Sequence, residues 1–578
     1  MATDLPEKPI ATTLRWWPAA LLIISMVLLR KLPGMVETPG MSLFMAGYLG
    51  PSVLGVLILV WWLLASRATR KEKLIGFAAV AAIAVGSIAL CHISMMGMGV
   101  MIFNVPFGMA AFAIPLILLA NRPAMRLPIA LACTLIGFGY WDLWQSKGVD
   151  GTFKTAFAWR WNATAEEEYL KSRLNNASTM AVGTIETSIT LASSEWPSFR
   201  GAGRDGKLMG VSINEDWTVS PPKLIWKSQI GPGWSSFSVA GNRLFTQEQR
   251  GEKEAVVCLD AGTGKTVWDF EYEGRFWEAV AGAGPRATPT IADEGLFSLG
   301  ANGVLTCLNA SSGKKIWERD LKVDGNRKPP MWGFSSSPLV TDGLVIVHAG
   351  GAGEKGLLAY DAQTGDLRWS TASGDHSYSS AQSARFDSVS GVLMVTNTGL
   401  QFVSAKDGSK IWQFDSPSQN YRTLQPLVLG NSVLLANSLG DGTKRLLIAH
   451  EGEKWTVTEE WSSRNMKPDF NDFVEHKGML YGFDGNILAC VDLATGQRLW
   501  KKGRYGNGQV LLLCDGGQLL VTSEAGELVL LKADPKSMIE VARIQAIEGK
   551  TWNHSVVVGH RIYIRNAEQA ACYELPTR

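Results

Sequence analysis

A tryptophan returns at near-regular intervals through the last two thirds of the chain, each time closing the same short pattern. The pattern is small residue–x–Asp–x–x–x–Gly–x–x–x–Trp. It stands as Cys258-Leu259-Asp260…Gly264…Trp268, Cys307-Leu308-Asn309…Gly313…Trp317 and Ala359-Tyr360-Asp361…Gly365…Trp369. It returns as Phe402-Val403-Ser404…Gly408…Trp412 and Cys490-Val491-Asp492…Gly496…Trp500, with degenerate copies ending at Trp461 and near Glu540. Successive Trp steps from Trp226 are 42, 49, 52, 43, 49 and 39 residues. A unit of this period cannot bury its apolar face alone, so copies must stack on one another. Each copy reads as four short strands. In the third they span about 337–340, 344–347, 357–360 and 367–369, separated by Asp-Gly, Gly-rich and Gln-Thr-Gly turns. Four-stranded units of this length are propeller blades. Unit ends at 268, 317, 369, 412, 461, 500 and 540 give seven. The strands within 555–575 lack an outer strand, and Leu224-Ile225-Trp226-Lys227 lacks a blade. Joining the two closes an eighth blade and leaves no sheet edge open. The expected fold of residues 196–578 is an all-β, eight-bladed propeller.

The first quarter has a different character. Apolar runs occupy about 16–29, 41–65, 74–96, 100–120 and 127–144. About 20 apolar residues cross a bilayer, because the hydrocarbon is ~30 Å thick and a helix rises ~1.5 Å per residue. Five spans fit, so residues 1–145 read as a helical membrane domain. Lys8 and Arg15 precede the first span; Arg67, Arg70, Lys71 and Lys73 follow the second; Arg122 and Arg126 follow the fourth. These loops share one side, whereas the other carries only Arg30 and Lys31. The positive-inside rule then places the N-terminus in the cytoplasm, the five spans in the cytoplasmic (inner) membrane, and everything after Trp144 on the periplasmic, extracytoplasmic side. No small-x-small cleavage site follows the first run, which argues against a removed signal peptide. Trp16, Trp17, Trp61, Trp62, Trp141 and Trp144 sit at span ends, where indoles favour the headgroup level. A cluster of Cys91, His92, Met95, Met96, Met98 and Met101 has soft ligands of the kind that hold copper or haem iron. The same residues also suit a Met-rich helix end with one interfacial His.

Residues 146–195 read as a polar linker with an aromatic patch, Trp159-Arg160-Trp161, and a helix opened by the capping box Thr164…Glu167. The stretch to Glu195 is rich in Ser, Thr and Ala and reads as a spacer. With 55 Lys+Arg against 53 Asp+Glu, no basic surface for nucleic acid is expected. Seven Cys in 578 residues make no disulfide scaffold. Cys258, Cys307 and Cys490 share one repeat position and read as small core residues. Two motifs are rejected by their context. Gly262-Thr-Gly-Lys-Thr266 imitates a P-loop but lies in a repeat hairpin, and Gly351–Gly356 imitates a dinucleotide fingerprint but joins two strands.

The innermost strands of a propeller begin around its central channel, so the residues opening them can converge on one ligand. Those openings contain Trp234, Arg286, Trp332, His376, Tyr421, Arg422, Asn471, Asp472, Asn507, Trp552, Asn553 and His554. Aromatic faces stack planar ligands, Arg binds carboxylates, and Asp or Asn oxygens bind Ca²⁺. Such residues could equally seal the channel among themselves.

The repeat resembles the tryptophan-docking motif of quinoprotein (PQQ-type) propellers, and Trp196-Pro-Ser-Phe-Arg-Gly…Arg204-Asp-Gly resembles the leading segment of PQQ-like repeat proteins. The resemblance covers residues 196–575 and implies that each Trp packs between neighbouring blades. Two functions follow from it. One is that of the non-catalytic BamB-like propeller of outer-membrane β-barrel assembly, an interaction platform with an envelope protein partner or a small ligand in its channel. The other is that of membrane-bound quinoprotein glucose dehydrogenase, which this chain also resembles in its five spans. That reading implies PQQ over a Trp floor and Ca²⁺ on Asp472 and Asn471 or Asn553. Asp472 or Asp469 would be the base, and electrons would pass to membrane quinone. Against it stand the missing adjacent Cys pair, the lack of long insertions in 196–575 and the absence of a Cys-x-x-Cys-His haem site. The five spans argue for it, since a platform needs only one. The platform is the favoured expectation.

Overall fold

The computed structural model describes residues 13–36, 41–151, 154–177, 194–293, 295–437 and 440–577. Lys8 of the orientation argument and the spacer over 178–193 lie outside the described residues. The chain divides into two compact units.

The first unit is helical. It holds α1 (Trp17–Lys31), α2 (Met41–Leu64), α3 (Arg70–Leu90), α4 (Val105–Leu118) and α5 (Pro123–Trp141). With their flanking turns, five helices are long and apolar enough to cross a membrane, among them Trp17–Met35 and Val100–Leu118. The first is longer than the apolar run because Arg30 and Lys31 continue the helix and a 3-10 turn, Leu32–Met35, follows. The tight break at Gly97–Gly99 is taken up by a 3-10 turn, Ile93–Met95, and a π-helical turn, Val100–Asn104. Thr69 and Glu72 form a capping box on α3, and the same Glu72 carboxylate takes both Nε (3.0 Å) and Nη2 (2.9 Å) of buried Arg126 at the start of α5. Gly108 lets α4 approach Phe138 of α5, where a Cβ would meet the ring at 2.1 Å. In the Cys91–Met101 cluster, Cys91 Sγ donates to Ile88 O and His92 Nδ1 lies 2.8 Å from Ser94 Oγ. Past α5 the chain forms a hairpin, Trp144–Val149 with Thr155–Trp159, in the first half of the expected linker.

The second unit is the propeller, with eight sheets of four antiparallel strands, one carrying an added parallel strand. Blades 1 to 6 occupy 238–273, 290–320, 339–371, 382–415, 427–463 and 474–504. Blade 7 is 509–545 with Lys207–Leu208 added in parallel, and blade 8 is 556–574 completed by Lys223–Gln229. Cys572 is paired with Trp226 across that closure, so both chain ends share one sheet.

The repeat pattern has a geometric cause. In blade 1, Asp260 Oδ1 accepts from the N–H groups of Gly262 and Thr263, which fixes the turn. Gly264 then adopts φ +68°, and its Cα lies flat on the indole of Trp226 in the preceding blade, where a Cβ would meet the ring at 2.5 Å. Gly313, Gly365, Gly408 and Gly496 repeat this contact on Trp268, Trp317, Trp369 and Trp461. Each indole also donates from Nε1 to a carbonyl of the next blade: Trp226 to Ala261, Trp268 to Ala310, Trp317 to Ala362 and Trp369 to Ala405, at 2.9–3.1 Å. Blade 5 has lost the Asp…Gly turn. There Trp412, although buried, has no Nε1 partner among the described residues, and Trp455 packs against the same apolar cluster through Phe402. All seven cysteines are free, including those at the repeat position. Both rejected motifs lie in strand connections.

The helix expected after Thr164 is α6 (Ala165–Ala177), with its capping box formed. It docks on blade 1 through a charge network. Tyr169 donates to buried Glu248 (2.6 Å), Glu248 pairs with Arg250 (2.6 Å), and Glu166 accepts from Gly251 N and Arg275.

Candidate functional site

The leading segment 196–208 lies across one end of the channel and touches every blade in turn. Trp196 exchanges backbone hydrogen bonds with Val239 of blade 1, and Pro197 O accepts from Ile291 N of blade 2. Arg204 donates to Ser337 O and Pro338 O at the opening of blade 3, and Gly203 O accepts from Gln382 of blade 4. Oriented to satisfy both groups, the Gln425 carboxamide oxygen before blade 5 accepts from Arg204 Nε at 3.0 Å. Arg200 reaches Asp472 and Phe473 O at blade 6, Gly206 O accepts from Leu512 N of blade 7, and Phe199 meets His554 edge-on (4.8 Å) at blade 8. Arg200 and Arg204 hold φ of 62° and 53°, which the bends of this plug require.

The plug supplies the floor of the site. Asp472, 4% exposed, lies with Oδ1 3.2 Å from Arg200 Nη1 and Oδ2 3.3 Å from His554 Nε2. Burial pushes its carboxyl up, but Arg200 and His554 outweigh that and hold it below the usual carboxylate range. Burial lowers His554 below the usual imidazole range, which favours the neutral ring, and its Nε2 faces Asp472 Oδ2. Asn471 Oδ1 accepts from Asp469 N (2.8 Å), and Asn553 Nδ2 donates to Gly233 O and Ser235 O of blade 1. Burial lifts the Asp469 carboxyl to about 7.

Residues slightly upstream of the inner strands form the mouth. Trp234 and Trp552 lie 4.9 Å apart, with Phe470 4.8 Å from Trp552. Lys550 Nζ sits 4.1 Å above the Trp552 ring, and Trp552 Nε1 donates to Glu524 (2.6 Å), which also accepts from the Asn507 N–H. Burial pulls Lys550 down to about 8 against the opposing pull of Glu278, Glu524 and Asp150. Arg286 is paired with Glu278 (3.1 Å) over the Phe276 ring. Across the mouth, Trp332, His376, Tyr378 and Tyr421 form a second aromatic group with Trp332–Tyr421 at 4.1 Å, beside exposed Met331. Arg422 takes no place in either group; its guanidinium is buried on Ser416 O and Ala436 O, and burial lowers it to about 10.

Of the residues expected from sequence, the structure joins Asp472 to His554, Asn471 to Asp469, Trp234 to Trp552, and Trp332 to His376 and Tyr421. Arg200, Glu524, Lys550 and Phe470 were not among them, whereas Tyr378 stands in the strand opening His376-Ser-Tyr-Ser-Ser. Arg200 belongs to the leading segment that starts at Trp196 and Lys550 precedes Trp552 by two residues, but nothing local in the sequence ties Glu524 to Trp552.

The expected Ca²⁺ donors can be tested on their chemistry. One Asp472 oxygen already faces a guanidinium, which would repel a divalent cation, and the other faces an imidazole nitrogen. The Asn471 oxygen is engaged by a backbone N–H, leaving only Asn553 Oδ1 without a partner among the described residues. Among the described residues, no three His, Cys, Asp or Glu side chains are grouped to hold a metal ion. In this arrangement the set does not fit Ca²⁺. Arg286 is paired with Glu278, and Lys550 feels the opposing charges of Glu278 and Glu524, so the basic groups of the mouth sit among carboxylates.

Residues 252–502 match the model of a family described as outer membrane protein assembly factor BamB. No curated protein sequence matches the chain. Similar solved structures include BamB from Moraxella catarrhalis, 12% identical, covering 61% of this chain and 100% of that one at a TM-score of 0.45. A europium-containing methanol dehydrogenase is 11% identical, covering 66% and 98% at 0.49. Quinohemoprotein alcohol dehydrogenase from Comamonas testosteroni is 12% identical, covering 71% and 84% at 0.47. The chain thus carries a PQQ-like, eight-bladed propeller whose residues 252–502 match the BamB family model, together with five apolar helices.

Proposed function

We propose that this protein is a membrane-anchored binding or assembly platform. Residues 1–145 are the anchor in the cytoplasmic membrane, 146–195 the connection, and 196–578 a periplasmic propeller whose channel mouth receives an envelope protein partner or a small ligand. The observation that carries this reading is the plug. A segment in contact with all eight blades closes that end of the channel, and its floor charges are internally matched, which leaves the aromatic mouth around Met331, Trp332 and Tyr421 as the surface for contact. A photo-crosslinker at Met331 in native membranes should capture an envelope protein, whereas one at exposed Val219 should not. No adduct from Met331, with dye reduction by an alcohol or sugar, would overturn the reading.

The orientation has its own test. Lys154 and Lys171 are exposed, while Arg173 is tied to Asp269 at 3.0 Å. Trypsin outside the cytoplasmic membrane should cut at the two lysines first, and protection of all three sites would reverse the topology.

One observation favours a second reading, a PQQ- and Ca²⁺-dependent dehydrogenase feeding membrane quinone. The Asp469 carboxyl, raised to about 7, has the proton affinity a general base needs at neutral pH. The misfit at Asp472 argues against it. PQQ with Ca²⁺ added to the purified protein should leave Trp fluorescence unchanged at micromolar cofactor; saturable quenching would instead support the dehydrogenase.

A further inference from the structure

The hairpin that follows α5 carries three aligned indoles that the platform reading does not use. Trp144 stacks on Trp159 (4.1 Å, 17°), its cross-strand partner, and Trp159 stacks on Trp161 (5.2 Å, 5°). Trp159 is 40% exposed and Trp161 66%, and Tyr140 and Leu143 beside them are 47% and 41% exposed. An exposed aromatic ladder of this kind costs solvation unless something covers it. The hairpin is also held rigidly on the helical unit. Arg160 Nη1 donates to Leu90 O and Asp142 O, Ser146 N donates to Ser94 Oγ, and Gln145 Nε2 donates to Trp159 O and Asn162 O. Asp142 is in turn fixed by Ser87 Oγ (2.8 Å).

We infer that this hairpin is an interfacial foot, its Trp159–Trp161 face seated in the phospholipid headgroup layer. Chain continuity fixes the depth. The 19 residues of α5 span ~28 Å at ~1.5 Å per residue, which uses up the hydrocarbon thickness, and Trp144 follows only three residues later. Because Trp144 is paired with Trp159, the whole stack lies at that level, where indole combines an apolar ring with an N–H that headgroups and water can satisfy. Bonding Arg160 to internal carbonyls and the rigid mounting make the foot a fixed support, able to set the tilt of the helical unit against the bilayer surface. The inference rests on the membrane reading but not on what the propeller binds.

The test uses the full chain reconstituted in phosphatidylcholine–phosphatidylglycerol vesicles, wild type against Trp159→Phe/Trp161→Phe. The fluorescence difference between the two reports only these indoles. It should be lost in vesicles whose phospholipid is brominated near the glycerol end of its chains, and should resist iodide added to the water. Quenching by iodide with no effect of brominated lipid overturns the foot alone. Carbonate extraction of the wild-type protein from the vesicles would overturn the membrane reading and the foot with it.

Discussion

Trp369→Ala should lower the unfolding free energy of the detergent-solubilised protein by about 3–5 kcal/mol, read from the denaturant midpoint of propeller near-UV circular dichroism. Three losses combine. Trp369 is 8% exposed between blades 3 and 4, its Nε1–H···O bond to Ala405 disappears, and the flat face that Gly408 rests on becomes a void. The geometry allows a sharper form of the prediction. Gly408→Ala alone should be costly, because its Cβ would meet the Trp369 ring at 2.5 Å in a residue at φ +72°. In the Trp369→Ala background the steric part vanishes and only the backbone strain, ~1 kcal/mol, remains. The cycle must therefore be non-additive, and additivity would show that glycine and indole do not act as one contact. Trp412 is the internal control. It is equally buried but donates to no carbonyl among the described residues, so Trp412→Phe should cost about 1 kcal/mol less than Trp369→Phe.

Arg200→Met should be as damaging at neutral pH, and its cost should depend on pH in a defined direction. The wild-type Asp472 carboxyl is held below its ordinary value. The pair therefore contributes stability above the unfolded carboxylate pKa of ~3.9, and that contribution is lost as pH falls through the lower folded value. Without the guanidinium, only His554 opposes burial, and the folded carboxyl pKa should rise above the unfolded one. The variant then buries a charge that has lost its guanidinium and keeps only the His554 contact, a loss of about 3–5 kcal/mol at pH 7 that shrinks as protonation neutralises it toward about pH 4. Arg200→Met/Asp472→Asn should recover most of the loss at pH 7. A deficit of the same size at all pH values would show that Arg200 matters only through its bonds to Asp205 O and Phe473 O.

The architecture was legible because its cause is local and repeated. An Asp-anchored turn needs Asp and Gly at fixed spacing, and a docking Trp must follow near the start of the next strand. Each copy therefore writes the same letters, and the missing outer strand of the last blade matched the orphan at Trp226. The capping box at Thr164 and the apolar lengths of the helices were readable for the same reason. The hairpin at Trp144–Trp159 was not, because its pairing depends on where α5 ends and on bonds to Ser94 and Leu90 far away in sequence.

Sequence alone therefore determined eight blades, their closure and five apolar helices, since period, spacing and length each suffice for these. It could also place residues at the channel by counting back from each inner strand. Only the tertiary structure decided what they do there. Asp472 could be read as a cation ligand until Arg200, more than 270 positions upstream, was seen at 3.2 Å from it. Arg422, grouped with Tyr421 by position, turns its guanidinium to backbone carbonyls. Charge pairing depends on distance in space, and a plug in contact with eight blades brings together residues that no repeat period connects.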